Sequence, residues 1–168
     1  METHMTFNLT KDQIEIQQRA RQIASTLVAE NAVEVDKSEQ YPWDNVKALT
    51  DAGFVGMTIP EEYGGPGRSF LDANLVVEEM AAYCGPTGRI AVEANMGAIS
   101  AVMHYGTDFQ KRLAAELVLA GDKPAICITE PDAGSAASQM TTRADKRGDK
   151  YVITVSYTHL RAHETQSD

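Results

Sequence analysis

Apolar positions in the first half of the chain recur every three or four residues, which predicts amphipathic helices. In the first helix the predicted inward positions are Ile16, Ala20, Ile23 and Leu27. Thr10 and Gln13 precede this face with the T-x-x-Q spacing of a capping box, in which two side chains satisfy amides at the start of a helix. The pattern therefore predicts a helix that follows Thr10.

Two further helices flank a segment rich in glycine and proline. The earlier one begins at Pro42, a favoured first-turn residue, and stops at Gly53, a favoured C-terminal cap. Its predicted core positions are Val46 and Leu49. Residues 54–68 cannot form a helix, because they contain Pro60, Gly64, Gly65, Pro66 and Gly67. An ordered or mobile loop is expected there, followed by a helix over about 69–83 with inward positions Leu71, Leu75, Val76 and Met80.

The chain then predicts two more helices. Residues 85–88 indicate a turn, and residues 89–105 indicate a helix rich in small side chains that ends at Gly106. Thr107 and Gln110 repeat the capping-box spacing and open a fifth helix, which ends near residue 121.

The hydrophobic period changes near residue 122. Residues 124–129 and 140–144 predict strands, and residues 151–154 predict the returning strand of a hairpin after a turn at 147–149. The fold class is therefore α+β, with an all-helical domain over residues 6–122 and the start of a β domain over residues 123–154.

One segment carries candidate chemistry, ICITEPDAGSAAS at residues 126–138. Pro131 turns the chain, Gly134 lets the backbone approach a ligand closely, and Thr129 and Ser135 supply hydroxyls. These residues suit a hydrogen-bonding ledge for a cofactor. An ordinary turn between two strands is the alternative that residue types alone favour.

Composition narrows the class of protein. The 168 residues are 43% apolar, which is typical of a globular protein, and the net charge of −9 argues against a nucleic-acid partner. No window predicts a membrane span, and the N-terminus has no features of a secretory signal. Cys84 and Cys127 are expected to be buried thiols rather than a disulfide, which suits a cytoplasmic location.

Five segments, in order, resemble the acyl-CoA dehydrogenase family over about residues 6–154. They are LTKDQIEIQQRARQIA, LTDAGFVGMTIPEEYGGPG, LVVEEMAAYCGPTGRI, YGTDFQKRLAAELVLAGDKPAICITEPDAGS and the G-D-x-Y-x-I hairpin. The resemblance implies that family's N-terminal helical domain, followed by the first strands of its β-barrel-like middle domain.

The resemblance also implies a cofactor and a substrate. The residues expected to line FAD are Ile126, Cys127, Ile128, Thr129, Glu130, Pro131, Asp132, Ala133, Gly134 and Ser135. In the family, the threonine faces the polar edge of the flavin and the serine touches an acyl-CoA thioester. Glu130 is expected to face solvent or to serve as a structural partner of a nearby base, not to act in catalysis. Electron-transfer flavoprotein and further copies of the chain, as a dimer or tetramer, are the implied partners of the parent protein.

The family reaction removes an α-proton and a β-hydride from the acyl chain. Its catalytic base lies in a C-terminal domain beyond residue 168, so no catalytic residue is assigned here. A second interpretation is the branch that releases sulfite from 3-sulfinopropanoyl-CoA, in which a buried Arg89 pairs with the anionic end of the acyl chain. Arg89 as a solvent-exposed residue at a helix entry is the alternative. A non-catalytic helical interaction module is the third interpretation of the chain.

The resemblance stops after residue 154. Residues 155–168 are expected to be a non-family tail, and the chain is expected to be an inactive fragment with unpaired strand edges that favour aggregation. His159 and His163 have the i,i+4 spacing of metal ligands on a helix, but no third ligand accompanies them, so no metal site is expected.

Overall fold

The computed structural model describes residues 8–122 and 124–155. It divides into two compact units between Ala125 and Ile126, whereas the sequence analysis places the boundary after residue 122. Helices form the first unit and a β-hairpin belongs to the second, so the α+β class is confirmed. No helix in the described ranges is long and apolar enough to span a membrane.

Helix α1 (Lys11–Ile23) begins with the predicted capping box, which is confirmed. Gln13 donates its amide to the Thr10 hydroxyl at 3.2 Å, and the Thr10 amide donates to the Gln13 side chain at 3.0 Å. A π-helical turn (Ala24–Val28) and helix α2 (Ala29–Ser38) continue it without a break.

The buried face of this long helix differs in part from the prediction. The buried positions are Ile16, Ala20, Ala24 and Val28, whereas Ile23 is half-buried and Leu27 is 36% exposed. Leu27 as a core residue is therefore wrong. The reason is the π-helical turn, whose i→i+5 pattern widens the helix and carries Val28 to the core instead.

Helix α3 (Trp43–Asp51) buries Val46 and Leu49, as predicted, and Pro42 is its N-cap residue. The following loop is ordered and belongs to the core, since it buries Phe54, Val55, Met57 and Ile59 and forms one 3-10 turn (Glu61–Tyr63). Gly65 permits this packing, because a β-carbon there would lie 2.2 Å from the carbonyl oxygen of Ile59.

Helix α4 (Phe70–Ala81) packs against α1 and buries Leu75, Val76 and Met80. The prediction for Leu71 is wrong, since that side chain is 50% exposed. Asp72 takes the inward position beside it, because its carboxylate accepts from the amide of Ser69 at 3.1 Å and from the side chain of Gln13 at 3.0 Å.

The predicted helix over residues 89–105 is two helices, α5 (Gly85–Asn95) and α6 (Ala98–Tyr105). The predicted turn at 85–88 is the first turn of α5, where Pro86 is tolerated because early amides of a helix need no intrahelical partner. The helices separate at Met96 and Gly97. Helix α7 (Asp108–Leu119) begins with the capping box of Thr107 and Gln110 and ends before Gly121, which confirms both predictions.

The second unit contains strands β1 (Arg143–Arg147) and β2 (Lys150–Thr154), which pair antiparallel with Asp145 opposite Val152. The predicted strand over residues 140–144 lies three residues too early. Its second and third residues, Thr141 and Thr142, instead donate their amides to the carboxylate of Glu130, so these amides cannot join the strand ladder.

The predicted buried strand over residues 124–129 is wrong as well. Residues 124–129 form no helix or strand, and no strand in the described part of the chain pairs with them. Cys127 is consequently exposed rather than buried, while Cys84 is buried as expected.

Candidate functional site

The candidate cofactor ledge, residues 126–135, contains a tight turn at its centre. The amide of Glu130 donates to the carbonyl of Ala133, and the amide of Ala133 donates to the carbonyl of Glu130, both at 3.2 Å. Pro131 and Asp132 form the exposed corner between them. Proline suits this position because it fixes φ and has no amide that would need a partner.

The carboxylate of Glu130 attaches this turn to the start of the hairpin. One oxygen accepts from the amide and the hydroxyl of Thr141, each at 2.7 Å, and the other accepts from the amide of Thr142 at 2.7 Å and from the Thr142 hydroxyl. Glu130 is only 6% exposed. Both oxygens are engaged within the chain, so this carboxylate is a structural group.

These hydrogen bonds lower the pKa of Glu130 from 4.5 to about 2. The hydroxyl of Thr142 contributes most, followed by the amide and the hydroxyl of Thr141, while burial opposes the shift. The sequence predicted that Glu130 either faces solvent or pairs with a nearby base, and both predictions are wrong. Its partners are two threonines, which the sequence analysis did not single out.

The remainder of the ledge is open. Ile126, Cys127 and Ile128 are exposed, and within the described ranges their amides make no main-chain hydrogen bond. A β-carbon added at Gly134 would meet nothing within 4 Å, and Ser135 is exposed. Thr129 is half-buried and Ala133 is buried. Amides without main-chain partners, nearby hydroxyls and the open space at Gly134 fit a flat, polar ligand such as a flavin ring.

Arg89 lies in the second turn of α5, in the helical unit. Its guanidinium pairs with the carboxylate of Glu93, one helical turn later, and its side chain is 49% exposed. Arg89 is therefore exposed in this structure rather than buried, and it is paired with Glu93. A role in binding substrate stays a prediction.

The sequence pattern predicted no role for Glu93 or Asn95, which lie on the same helix as Arg89. The Arg89–Glu93 spacing of four residues was a visible signal for the ion pair. Asn95 left no such signal, because its partners lie in the loop at residues 54–58. Its side chain accepts from the amide of Met57 at 2.7 Å and donates to the carbonyl of Phe54 at 2.9 Å.

No group of three metal-ligating side chains occurs among the residues that the structure describes. His159 and His163 lie outside those ranges, and so does the predicted tail apart from Val155.

The chain matches the family model "Acyl-CoA dehydrogenase, N-terminal domain" over residues 10–122. The chain belongs to the acyl-CoA dehydrogenase family. Its described fold corresponds to the N-terminal part of that family's fold, as the resemblance implied.

Among curated relatives, the 3-sulfinopropanoyl-CoA desulfinase of Variovorax paradoxus is 60% identical over 147 residues, which cover 88% of this chain and 37% of the relative. Three other proteins of the same name are 57–59% identical. The short-chain specific acyl-CoA dehydrogenase of Clostridium acetobutylicum is 36% identical over 150 residues, which cover 89% of this chain and 40% of that enzyme. The chain thus spans about two fifths of the length of these relatives.

Two solved structures are similar in fold to this chain. One, from work on the electron transferring flavoprotein of Acidaminococcus fermentans, has a TM-score of 0.82 and 34% identity, covering 91% of this chain and 40% of that chain. The other, a glutaryl-CoA dehydrogenase from Mycobacterium smegmatis in complex with FADH2, has a TM-score of 0.76 and 26% identity, covering 86% and 38%.

Proposed function

We propose that this chain is the N-terminal part of an FAD-dependent desulfinase that acts on 3-sulfinopropanoyl-CoA. The observation that carries the proposal is the gap in identity between two groups of relatives: proteins named as desulfinases are 57–60% identical, whereas the acyl-CoA dehydrogenases of Clostridium acetobutylicum and Bacillus subtilis are 35–36% identical. Of the two enzymatic interpretations of the sequence, the desulfinase thus takes precedence over the dehydrogenase.

FAD is the proposed cofactor, and the solved relative that holds FADH2 supports it. The ledge at residues 126–135 would hold the flavin, with the amides of the exposed residues Ile126, Cys127 and Ile128 and the hydroxyl of Thr129 as hydrogen-bonding groups. When bound, the flavin supplies an electron-accepting ring. Amides and hydroxyls beside such a ring would stabilise the negative charge that it gains.

Glu130 has a positioning role in this proposal. Its hydrogen bonds to Thr141 and Thr142 join the two ends of the loop that contains Ser135. Ser135 is the proposed contact with the acyl-CoA thioester, and its exposure is consistent with that role. A loop that is ordered before the ligand arrives loses less conformational entropy on binding.

Arg89 is the proposed partner of the anionic end of the acyl chain. A guanidinium has five N–H donors in a planar fork, which matches a sulfinate or carboxylate, and the side chain is half-exposed. The segment supplies no catalytic base, so its residues would bind and orient the substrate rather than move the proton.

Dehydrogenation of an acyl-CoA thioester is the second candidate, favoured by the family assignment and by the dehydrogenases among the relatives. It differs from desulfination in one respect that can be measured. Dehydrogenation leaves two electrons on the flavin and requires an acceptor such as electron-transfer flavoprotein, whereas sulfite release causes no net oxidation. A cytoplasmic location and a homo-oligomer stay predictions for either enzyme.

A hybrid enzyme tests the proposal. Residues 8–154 of this chain would replace the matched segment of the Variovorax paradoxus relative, and the product would be assayed for flavin absorbance and for sulfite release from 3-sulfinopropanoyl-CoA. We expect a yellow protein that releases sulfite without reducing an electron acceptor. The matched control is a hybrid with the corresponding segment of the Clostridium acetobutylicum enzyme, which we expect to bind flavin but to release little sulfite.

Two outcomes would contradict the proposal. A yellow hybrid that reduces an acceptor with a neutral acyl-CoA and releases no sulfite would favour the dehydrogenase. A folded but colourless hybrid would favour the non-catalytic interaction module.

A further inference from the structure

One buried side-chain oxygen in the described part of the chain has no hydrogen-bond partner, and it belongs to Glu93. The other oxygen of this carboxylate pairs with the guanidinium of Arg89. The two members of the pair differ in exposure, since the side chain of Glu93 is 15% exposed and that of Arg89 is 49% exposed. The acid is thus the fixed, inner member of the pair, and the base is the accessible one.

Gly97 explains where the carboxylate of Glu93 can lie. A β-carbon at Gly97 would be 2.1 Å from the unpaired oxygen and 3.0 Å from the carboxyl carbon of Glu93. Gly97 is also the N-cap residue of α6 and forms no side-chain cap there. The carboxylate therefore occupies the space at the start of α6, where the partial positive charge of a helix N-terminus favours an anion. Its negative charge is held in place by the break between α5 and α6.

This position has an electrostatic consequence for any ligand of Arg89. The Arg89–Glu93 pair is neutral as a unit, although only the guanidinium is open to a ligand. An anionic acyl tail that reaches the guanidinium is attracted by Arg89 and repelled by the fixed charge of Glu93 behind it. Charges a few ångströms apart near a protein surface interact appreciably even with screening. A neutral acyl tail has weaker electrostatic interactions with both Arg89 and Glu93.

We propose that Glu93 is a specificity-determining residue: it is a counter-charge that weakens the hold of Arg89 on anionic acyl tails and leaves the binding of neutral tails almost unchanged. This inference rests on the proposed function, because it assigns the acyl tail to Arg89. The inference adds Glu93 to the proposed binding site of the acyl tail. It also explains why residue 97 is a glycine, since a β-carbon there would collide with the Glu93 carboxylate. An anion that must leave the site as a product benefits from binding that is not too tight.

The test uses the flavin-loaded hybrid enzyme and measures binding rather than turnover. Succinyl-CoA carries a carboxylate where the substrate carries a sulfinate, and butanoyl-CoA is its neutral counterpart of the same length. With Glu93→Gln, which keeps the shape and a hydrogen-bond acceptor but removes the charge, we expect succinyl-CoA to bind about tenfold more tightly by calorimetry. The Kd of butanoyl-CoA should stay within about twofold of its original value, since the removed charge has no partner on that ligand.

Three variants complete the design. Glu116→Gln, at an exposed glutamate on α7, removes the same charge from a different helix and should leave both Kd values unchanged. In the parent hybrid we expect succinyl-CoA to bind more tightly than butanoyl-CoA because of the guanidinium, and Arg89→Met should abolish this preference. Glu93→Met provides a second neutral side chain of similar length, in case the glutamine variant fails to retain flavin.

The inference is overturned if both neutral variants bind succinyl-CoA as the parent does or more weakly, or if Arg89→Met keeps the preference for the anionic ligand. Failure of the proposed function is a separate result. A hybrid that binds flavin and both CoA esters but releases no sulfite would reject desulfination, while the ratio of Kd values would still decide the role of Glu93.

Discussion

The carboxylate of Glu130 accepts hydrogen bonds from both the amide and the hydroxyl of Thr141, each 2.7 Å long, although Thr141 lies eleven positions later in the chain. The same carboxylate accepts from the amide and hydroxyl of Thr142. Four donors from two adjacent residues thus converge on one acid, and they attach the start of the hairpin to the turn of the candidate ledge.

This arrangement predicts how the ledge responds to acid. The pKa of Glu130 falls from 4.5 to about 2 on folding, so its ionised form stabilises the folded state above about pH 4.5. That stabilisation is lost as the pH falls from about 4.5 to 2. In an NMR titration, the amide protons of Thr141 and Thr142 should therefore hold their chemical shifts down to about pH 4 and move with a midpoint near 2.

Two variants control this titration. Glu130→Gln removes the titrating group and should abolish the transition at both threonines. Asp132→Asn, at the exposed corner of the same turn, should leave it unchanged. A midpoint near 4.5 in the parent chain would show that the four hydrogen bonds do not form in solution.

Replacement of Asn95 is expected to lower the stability of the helical unit. In Asn95→Leu, the amide of Met57 and the carbonyl of Phe54 lose the side-chain partners that they have in the core. Because each unsatisfied buried group costs roughly 1–3 kcal/mol, the free energy of unfolding should fall by about 3 kcal/mol. Urea unfolding measures the change. The control Asn74→Leu, on the exposed side of α4, should change it by less than about 0.5 kcal/mol.

Substitution by alanine is expected to have opposite effects on stability at Gly65 and Gly85. Gly65→Ala would place a β-carbon 2.2 Å from the carbonyl oxygen of Ile59, so the loop must move and the chain should lose about 1–3 kcal/mol. Gly85→Ala, in the first turn of α5, meets nothing within 4 Å and should gain about 0.5 kcal/mol through the lower entropy of the unfolded chain. Equal melting temperatures for the two variants would contradict the close contact at Gly65.

The exposed apolar residues of strand β2 are expected to cause self-association of the chain. Tyr151 and Ile153 in β2, and Val155 directly after it, are 57–66% exposed, and β2 pairs with β1 alone in the described ranges. Unprotected apolar edges promote pairing between chains, whereas β1 carries charged residues that oppose it. Ile153→Lys should therefore lower the weight-average mass in sedimentation experiments at high concentration.

Val33→Lys is the matched control for that experiment, since Val33 is 63% exposed but lies on a helix. It should leave the mass unchanged. A parent chain that stays monomeric at all concentrations would show that the β2 edge does not pair between molecules.

The sequence by itself determined the features that depend on neighbours along the chain. Capping boxes at Thr10 and Thr107 are such features, because a helix start is satisfied by side chains three residues away. The pattern of apolar positions fixed the buried sides of α3 and most of α4 for the same reason. The ledge motif likewise indicated the family, because it is a continuous run of residues along the chain.

Only the tertiary structure decided the features that depend on distant partners. The break between α5 and α6 accompanies the carboxylate of Glu93 against Gly97, and the start of β1 is delayed because Glu130 binds the amides of Thr141 and Thr142. Strand propensity at residues 124–129 was not realised, because a strand requires a neighbour to satisfy its amides and the described ranges supply none.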